Sequence, residues 1–270
     1  MEQTPATAHV WWARRQDASP HLEALLDDTE RGRYQAYRRE EDRQRFLVGC
    51  ALAKTVIAAQ LDVAVGEVTL DRACTECGKP HGKPRATGTD LELSVSHSGD
   101  RIAVATATAT PLGVDVEQLA GRARHPGGDD PDALVRYVLD DSEQEALAEG
   151  QDARHHDFLV AWTRKEAVTK ATGDGLRVSF KHVIVSPASQ PPRVVSWPYI
   201  EPVENVSLFD LIADEGYVSA LAVIGYCDRV LRGDGSALLT LTLTRAHRPV
   251  RHVPDRHDVP GHRQGGGDRP

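Results

Sequence analysis

Two acidic residues two positions apart, Asp115 and Glu117 in GVDVE, are the first sign of chemistry in this chain. On a strand, residues at i and i+2 point to one face, so the carboxylates would stand side by side. Such a pair repels itself unless a cation or a proton joins it. Hard oxygen ligands of this kind suit Mg²⁺, which takes a few carboxylates and leaves its other positions to water and substrate phosphate. A solvated strand end with two acids has the same pattern. WTRKEAVTK, residues 162–170, offers a third carboxylate, Glu166, flanked by Lys165 and Lys170. Trp162, Lys165, Glu166, Thr169 and Lys170 lie at i, i+3, i+4, i+7 and i+8, one side of a helix. That side ordinarily carries apolar core residues, but here it is polar and mixed in charge. Packed across the strand, such a helix would bring Glu166 to the other two acids and its lysines to phosphate oxygens. A surface Glu–Lys pair is the plainer account, although it leaves Trp162 unexplained.

Other segments add candidates. In SVSHSGD, residues 94–100, His97 stands between Ser96 and Ser98 at a strand end, where hydroxyl and imidazole groups can donate to a phosphate. The stretch lacks GxSxG and is no nucleophile elbow. HGKPR, residues 81–85, holds Lys83 and Arg85 around a rigid proline. Arg31, Arg33, Arg38, Arg39, Arg43 and Arg45 alternate with Glu30, Glu40, Glu41 and Asp42. They make either a patch that receives an anion or a solvated, salt-bridged helix. Cys74 and Cys77 form a CxxC followed by His81. A closed structural zinc site takes four ligands and no second pair follows, so this loop is expected to be metal-free.

These residues need elements to position them. A chain of 270 residues suffices for one large domain or two small ones, and 40% hydrophobic content suffices for a core. A net charge of -8 speaks against nonspecific nucleic-acid binding. No apolar run approaches the ~20 residues of a membrane span. The opening MEQTPATAHVWWARRQ lacks the pattern of a signal peptide. The expectation is a soluble cytoplasmic protein with no membrane or nucleic-acid partner. Residues 21–60 have apolar spacing near 3.6 and read as helical. Residues 67–71 read as a strand, 72–90 as a loop, and LELSVS, RIAVATAT and LGVDVE as short strands. GRARHPGGDDP reads as a loop. Residues 131–148 and 153–171 read as helices, with Asp141 or Ser142 as N-cap and Gly173 and Gly175 as stops. Strands follow near 177–185, 193–197, 205–212 and 216–226. Helices then strands, twice over, predict an α+β chain of two similar halves with a seam near Pro111–Gly113. From about residue 231 the chain reads as a tail. ALLTLTLT is read there as a strand, and His247, His252, His257 and His262 fall in a composition typical of disorder.

Taken in order, GKP (82–84), SHSGD (96–100), GVDVE (113–117) and WTRKEAVTK (162–170) resemble the 4′-phosphopantetheinyl transferases, specifically the monomeric surfactin-type branch, over roughly residues 9–228. The resemblance implies an α+β fold of two similar α/β subdomains related by a pseudo-twofold. The halves would be 1–112 and 113–230, with a largely disordered tail at 231–270. It implies transfer of the phosphopantetheine arm of coenzyme A to a serine of an apo acyl or peptidyl carrier protein, leaving adenosine 3′,5′-bisphosphate. By position, Asp115, Glu117 and Glu166 would hold Mg²⁺. Lys165 and Lys170 would meet phosphate and pantetheine oxygens. Ser96 and His97 would contact the adenosine-side phosphate, with Lys83, Arg33 and Arg45 nearby. Glu143 falls where the family often has another site glutamate, and the general base is either a glutamate or a metal-bound water. Carrier docking is expected near 131–150. Two other functions use the same residues: a Mg²⁺-dependent pyrophosphate-bond hydrolase acting on coenzyme A or a nucleotide, and a non-catalytic carrier-protein or coenzyme A binding module.

Overall fold

The computed structural model describes residues 5–74, 76–120, 131–200 and 202–246. The predicted loop at 121–130 and the histidines from His247 onward lie outside them. In the first half, β1 (Ala6–Arg14) leads through short 3-10 turns to α1 (Asp28–Ala36) and α2 (Glu40–Leu61). The small pair β2 (Leu70–Asp71) and β3 (Arg85–Ala86) follows, then β4 (Leu91–Ser98) and β5 (Arg101–Thr108). The second half holds β6 (Leu112–Gln118), α3 (Pro131–Val138), α4 (Asp141–Glu145) and α5 (Gln151–Thr172). It continues with β7 (Ile184–Val185), β8 (Val194–Ser196), β9 (Val206–Asp210) and β10 (Tyr217–Ile224), and the described chain ends in β11 (Cys227–Asp234) and α6 (Gly235–Ala246). The two larger sheets are ordered β11-β1-β5-β4 and β6-β10-β9, and β2-β3 and β7-β8 form two-stranded pairs. The α+β class is as expected.

Each half lays a 22-residue helix on its sheet, which is antiparallel throughout in the second half and antiparallel except for the β1–β11 pair in the first. Helix α2 is buried from Phe46 to Ala58 because FLVGCALAKTVIA is apolar nearly all round. Helix α5 buries Phe158–Ala161 and Ala167–Val168 against β6 and β10. The expected single helix over 21–60 is in fact divided at Tyr37, whose backbone is extended. There the Tyr37 ring stacks 5.4 Å from Phe46 and the Tyr37 carbonyl accepts from Arg43. No proline or glycine signals that break; tertiary contact makes it.

The halves repeat a device. Leu26-Asp27-Asp28-Thr29-Glu30 and Leu139-Asp140-Asp141-Ser142-Glu143 are near-identical stretches, and both leucines are buried. Asp27 and Glu30 form a capping box at the start of α1, as Asp140 and Glu143 do at α4. The box glutamate then takes a buried lysine from the long helix. Lys54 Nζ lies 2.6 Å from Glu30 and donates to Leu25 O. Lys165 Nζ lies 2.5 Å from Glu143 and donates to Val138 O and Phe180 O. Both lysines thus find an anion and backbone acceptors inside apolar surroundings, the condition for burying a charge.

The two sheets meet at β4 and β6. Among the described residues no strand ladder joins them. Ser94, Ser96 and Ser98, alternate residues on one face of β4, present hydroxyls to the β6 edge instead. They accept from Val114 N, Val116 N and Gln118 N at 3.0, 3.3 and 3.2 Å. The buried edge is thereby satisfied by side chains, as buried amides require. Gly113 admits α5 across β6: a Cβ there would overlap Ala167 O and Ala171 N.

The tail expectation needs correction over 231–246. Strand β11 returns to the first sheet, parallel to β1, so residues 227–234 do not stay with the second half. ALLTLTLT is helical. Its Leu-Thr alternation has the period of a strand, but Leu239 and Leu243 are also i and i+4 on a helix, and both dock on the first core. Asp234 caps α6 by accepting from Ala237 N, and the hydroxyls of Thr240 and Thr242 return to carbonyls one turn back. No helix among the described residues is long and apolar enough to cross a membrane.

Candidate active site

A cavity of about 310 Å³ opens at the seam, lined by β4, β6 and one face of each long helix. Strand β6 supplies Asp115 and Glu117, and helix α5 supplies Glu166 and Lys170. Strand β4 supplies Ser96 and His97, and Arg33 and Arg72 close the side toward the first half. Six of the residues anticipated from the sequence, Asp115, Glu117, Glu166, Lys170, Ser96 and His97, are therefore brought together, with Arg33 as a seventh.

The serines that join the sheets also hold the acids. Ser96 Oγ donates to Asp115 Oδ1 at 2.8 Å and Ser98 Oγ to Glu117 Oε2 at 2.7 Å. Lys170 Nζ stands 2.6 Å from Asp115 Oδ1 and 3.2 Å from Ser96 Oγ. Burial works against the charge on Lys170, yet Asp115, Glu166 and Glu117 outweigh it and raise its pKa. Burial, with Asp115 beside it, raises Glu117, while Ser98, Lys170 and a hydrogen bond from Trp162 pull it back. Glu166 is pushed up to about 7, first by burial and then by Asp115 and Glu117, against the pull of Lys170. His97 opens to the cavity, but the protein packed around it, then Lys170 and Arg45, hold its pKa below the usual imidazole value.

This donor set fits a hard divalent cation. Asp115 Oδ2 is buried without a hydrogen-bond partner, and two more carboxylates share its cavity. Lys170 and Ser96 satisfy Oδ1, so Oδ2 is the open acceptor, and three carboxylates in one cavity favour a cation beyond the single lysine. The three carboxylates do not stand within 4.8 Å of one another as a ligand set; among the described residues only Cys74, Cys77 and His81 do. Lys170 takes the cation's place beside Asp115. On the opposite wall Arg33 Nη1 and Arg72 Nε are buried donors without partners, which suits an anionic ligand.

Four anticipated residues lie elsewhere. Lys165 is fully buried against Glu143, on the core side of α5; burial lowers its pKa and Glu143 pulls it back up. Glu143 also accepts from Val185 N at 3.0 Å. Neither group reaches the cavity. Lys165 and Lys170 are five residues apart, a rotation of about 140° at 3.6 residues per turn, so one cavity cannot receive both. Lys83 is tied to Glu92 and to Ala171 O near the end of α5. Arg45 donates to Gly99 O at 2.7 Å and pairs with Asp42, supporting the β4–β5 turn beside His97. Sequence reasoning missed Arg72 altogether; it stands alone beside the CxxC loop, with no pattern to mark it. The LDDTE and LDDSE stretches relate Glu143 to Glu30 in sequence, although neither contains the lysine partner.

Comparison with known proteins divides the chain at the same seam. Residues 10–109 match the family described as 4′-phosphopantetheinyl transferase, N-terminal, and residues 111–222 match the 4′-phosphopantetheinyl transferase superfamily. The chain is 27% identical over 205 residues to the 4′-phosphopantetheinyl transferase HetI of Nostoc sp., covering 76% of this chain and 81% of that one. It is 32% identical over 189 residues to a phosphopantetheinyl transferase of Thraustochytrium sp., covering 64% and 63%. With the 4′-phosphopantetheinyl transferase Sfp of Bacillus subtilis it shares 22% over 162 residues, 60% of this chain and 66% of that one. With its two halves matched in order by the two parts of one family, the chain belongs to the 4′-phosphopantetheinyl transferases.

Proposed function

We propose that this chain transfers the 4′-phosphopantetheine arm of coenzyme A to a serine of an apo acyl or peptidyl carrier protein, as a monomeric, cytoplasmic enzyme of the surfactin-type branch. The observation that carries the proposal is the seam cavity, where three carboxylates and Lys170 face two arginine donors without partners. A pyrophosphate needs both kinds of wall: cations for its oxygens and acids for the metal that accompanies it.

Asp115, Glu117 and Glu166 would hold Mg²⁺, which when bound offsets the charge that builds on the pyrophosphate. Ser96 and Ser98 fix the first two carboxylates by hydrogen bonds, so little reorganisation is needed at the moment of reaction. Lys170 supplies a positive charge next to the transferred phosphate. Arg33, Arg72 and His97 bind the adenosine-side phosphates. The carrier serine oxygen bonds to the phosphorus of the pantetheine arm as the pyrophosphate bond breaks, and adenosine 3′,5′-bisphosphate leaves. The serine proton passes to a cavity carboxylate. Glu166, whose side chain makes no hydrogen bond among the described residues, is the group assigned to receive it. Lys165 and Glu143 hold α5 in position from behind. Carriers of polyketide, nonribosomal peptide or fatty acid synthesis supply the acceptor, docking near 131–150, where Tyr137 is 69% exposed.

Intact-mass spectrometry tests the proposal. An apo carrier incubated with the protein, coenzyme A and Mg²⁺ should gain one phosphopantetheine group, and EDTA should abolish the gain. Cleavage of coenzyme A with the carrier unchanged would assign a hydrolase instead. An unchanged carrier with intact coenzyme A would assign a binding module.

A further inference from the structure

The loop between β2 and β3 carries a cluster that the proposed reaction does not use. Cys74 Sγ, Cys77 Sγ and a ring nitrogen of His81 lie within 4.8 Å of one another. The backbone builds this arrangement. Gly78 N donates to Cys74 O at 2.9 Å, and Cys74 N donates to Lys79 O at 2.9 Å. The resulting turn places residues 74 and 77 side by side. Gly78 sits at φ +67, a left-handed conformation that glycine adopts without strain. His81 N then donates to Lys79 O at 2.8 Å, folding the ring back until Nε2 stands 3.0 Å from Cys77 Sγ. Gly82 N closes the loop on Arg72 O at 2.8 Å, so tightly that a Cβ on Gly82 would lie 2.8 Å from Ala73 O. A thiol–imidazole hydrogen bond explains Cys77 and His81 as a pair. It does not explain why a second thiol is held at the same place.

We propose that Cys74, Cys77 and His81 bind a Zn²⁺ ion, with water in the fourth position. Two thiolates and a neutral imidazole are soft and borderline ligands that select zinc over Mg²⁺. Binding releases the two thiol protons to solvent and leaves a centre without net charge. The sequence expectation of a metal-free loop rested on the missing fourth ligand, and a water-completed site does not need one.

The loop is a strap between the halves, which gives the ion a task. Lys83 reaches Ala171 O near the end of α5. Glu76, between the two cysteines, pairs with Arg177 at 2.7 Å. Arg72, at the root of the loop, lines the seam cavity. Zinc at the tip would hold the strap closed and Arg72 in place.

The test is metal analysis of the full chain purified under reducing conditions without added metal. The expected result is about one zinc per chain. Cobalt in its place should give thiolate charge-transfer absorption and tetrahedral ligand-field bands. Cys74→Ser and His81→Ala should lose both metals. The wild type treated with a zinc chelator supplies a second readout that does not depend on how either variant folds: its melting temperature should fall by about 4 °C or more and recover with Zn²⁺ but not with Mg²⁺. A folded, reduced wild type without zinc and without cobalt bands overturns the proposal. So do variants that retain full zinc, or a freshly isolated chain in which Cys74 and Cys77 are joined as a disulfide.

Discussion

The two halves share one plan and differ at one edge. In sheet order β1-β5-β4 answers to β6-β10-β9, and α2 answers to α5. Lys54–Glu30 answers to Lys165–Glu143. The outer edge of β1 is closed by the backbone of β11. The outer edge of β6 is closed by the serine hydroxyls of β4. A backbone ladder brings strands together and leaves no room for a ligand. Side-chain closure keeps the strands further apart and leaves oxygen and nitrogen atoms that can serve a second purpose. The two helices differ in the same way. Toward the cavity α2 offers Phe46, Gly49 and Cys50, and α5 offers Glu166 and Lys170. Burial pushes the Cys50 thiol up to about 12, so it supplies no nucleophile. The first half gives shape and two arginines with unpartnered donors; the second gives the three carboxylates and Lys170.

Substitutions at the charged edge should have the largest effect. Asp115→Asn and Lys170→Met are each expected to lower the transfer rate by about 10³-fold while circular dichroism stays unchanged. Carrier mass gain over time measures the first quantity. Next come the matched ion pairs. Lys54→Met and Lys165→Met each leave a buried glutamate unpaired and should each cost about 3–5 kcal/mol in chemical denaturation. The double variant Lys165→Met with Glu143→Leu should recover most of that loss. A Lys165→Met protein of normal stability but no activity would break the comparison and return Lys165 to the reaction.

A smaller effect concerns pH. Folded Glu166 holds its proton to about 7 against an ordinary 4.5. Through that window the folded state binds more protons than the unfolded one. Metal-free protein should therefore lose stability as pH rises between the two values, and Mg²⁺ should restore it. Glu166→Gln lacks this loss. In EDTA at pH 8 it should be more stable than the wild type by about 1–3 kcal/mol, a difference that vanishes near pH 4. The smallest effect belongs to the serine edge. Ser94→Ala leaves Val114 N without its acceptor and should cost about 1 kcal/mol with transfer nearly intact. Ser96→Ala, which also frees Asp115, should slow transfer as well.

Much of this was legible in the sequence because strand and helix periods are local. Asp115 and Glu117 had to share a face, and Glu166 and Lys170, one turn apart, had to share another. What was not legible depends on angle and partner. The stripe from Trp162 to Lys170 is wider than one cavity, and a list of spacings does not say where seam ends and core begins. Trp162 sits at that boundary, packed on Phe158 and Phe180 while its indole reaches Glu117. The docking of α6 comes from contacts distant in sequence, and the split at Tyr37 from the packing of its ring on Phe46 and the Arg43 bond to its carbonyl; helix propensity encodes neither.

The most direct test of the central claim, that the serine-closed seam carries the transfer, is intact-mass measurement of an apo carrier with coenzyme A and Mg²⁺ under Glu166→Gln protein of verified fold. The account predicts a carrier left in its apo form while the wild type converts it fully. Conversion at the wild-type rate by Glu166→Gln would contradict the assignment of Glu166, and with it the placement of the reaction at this seam.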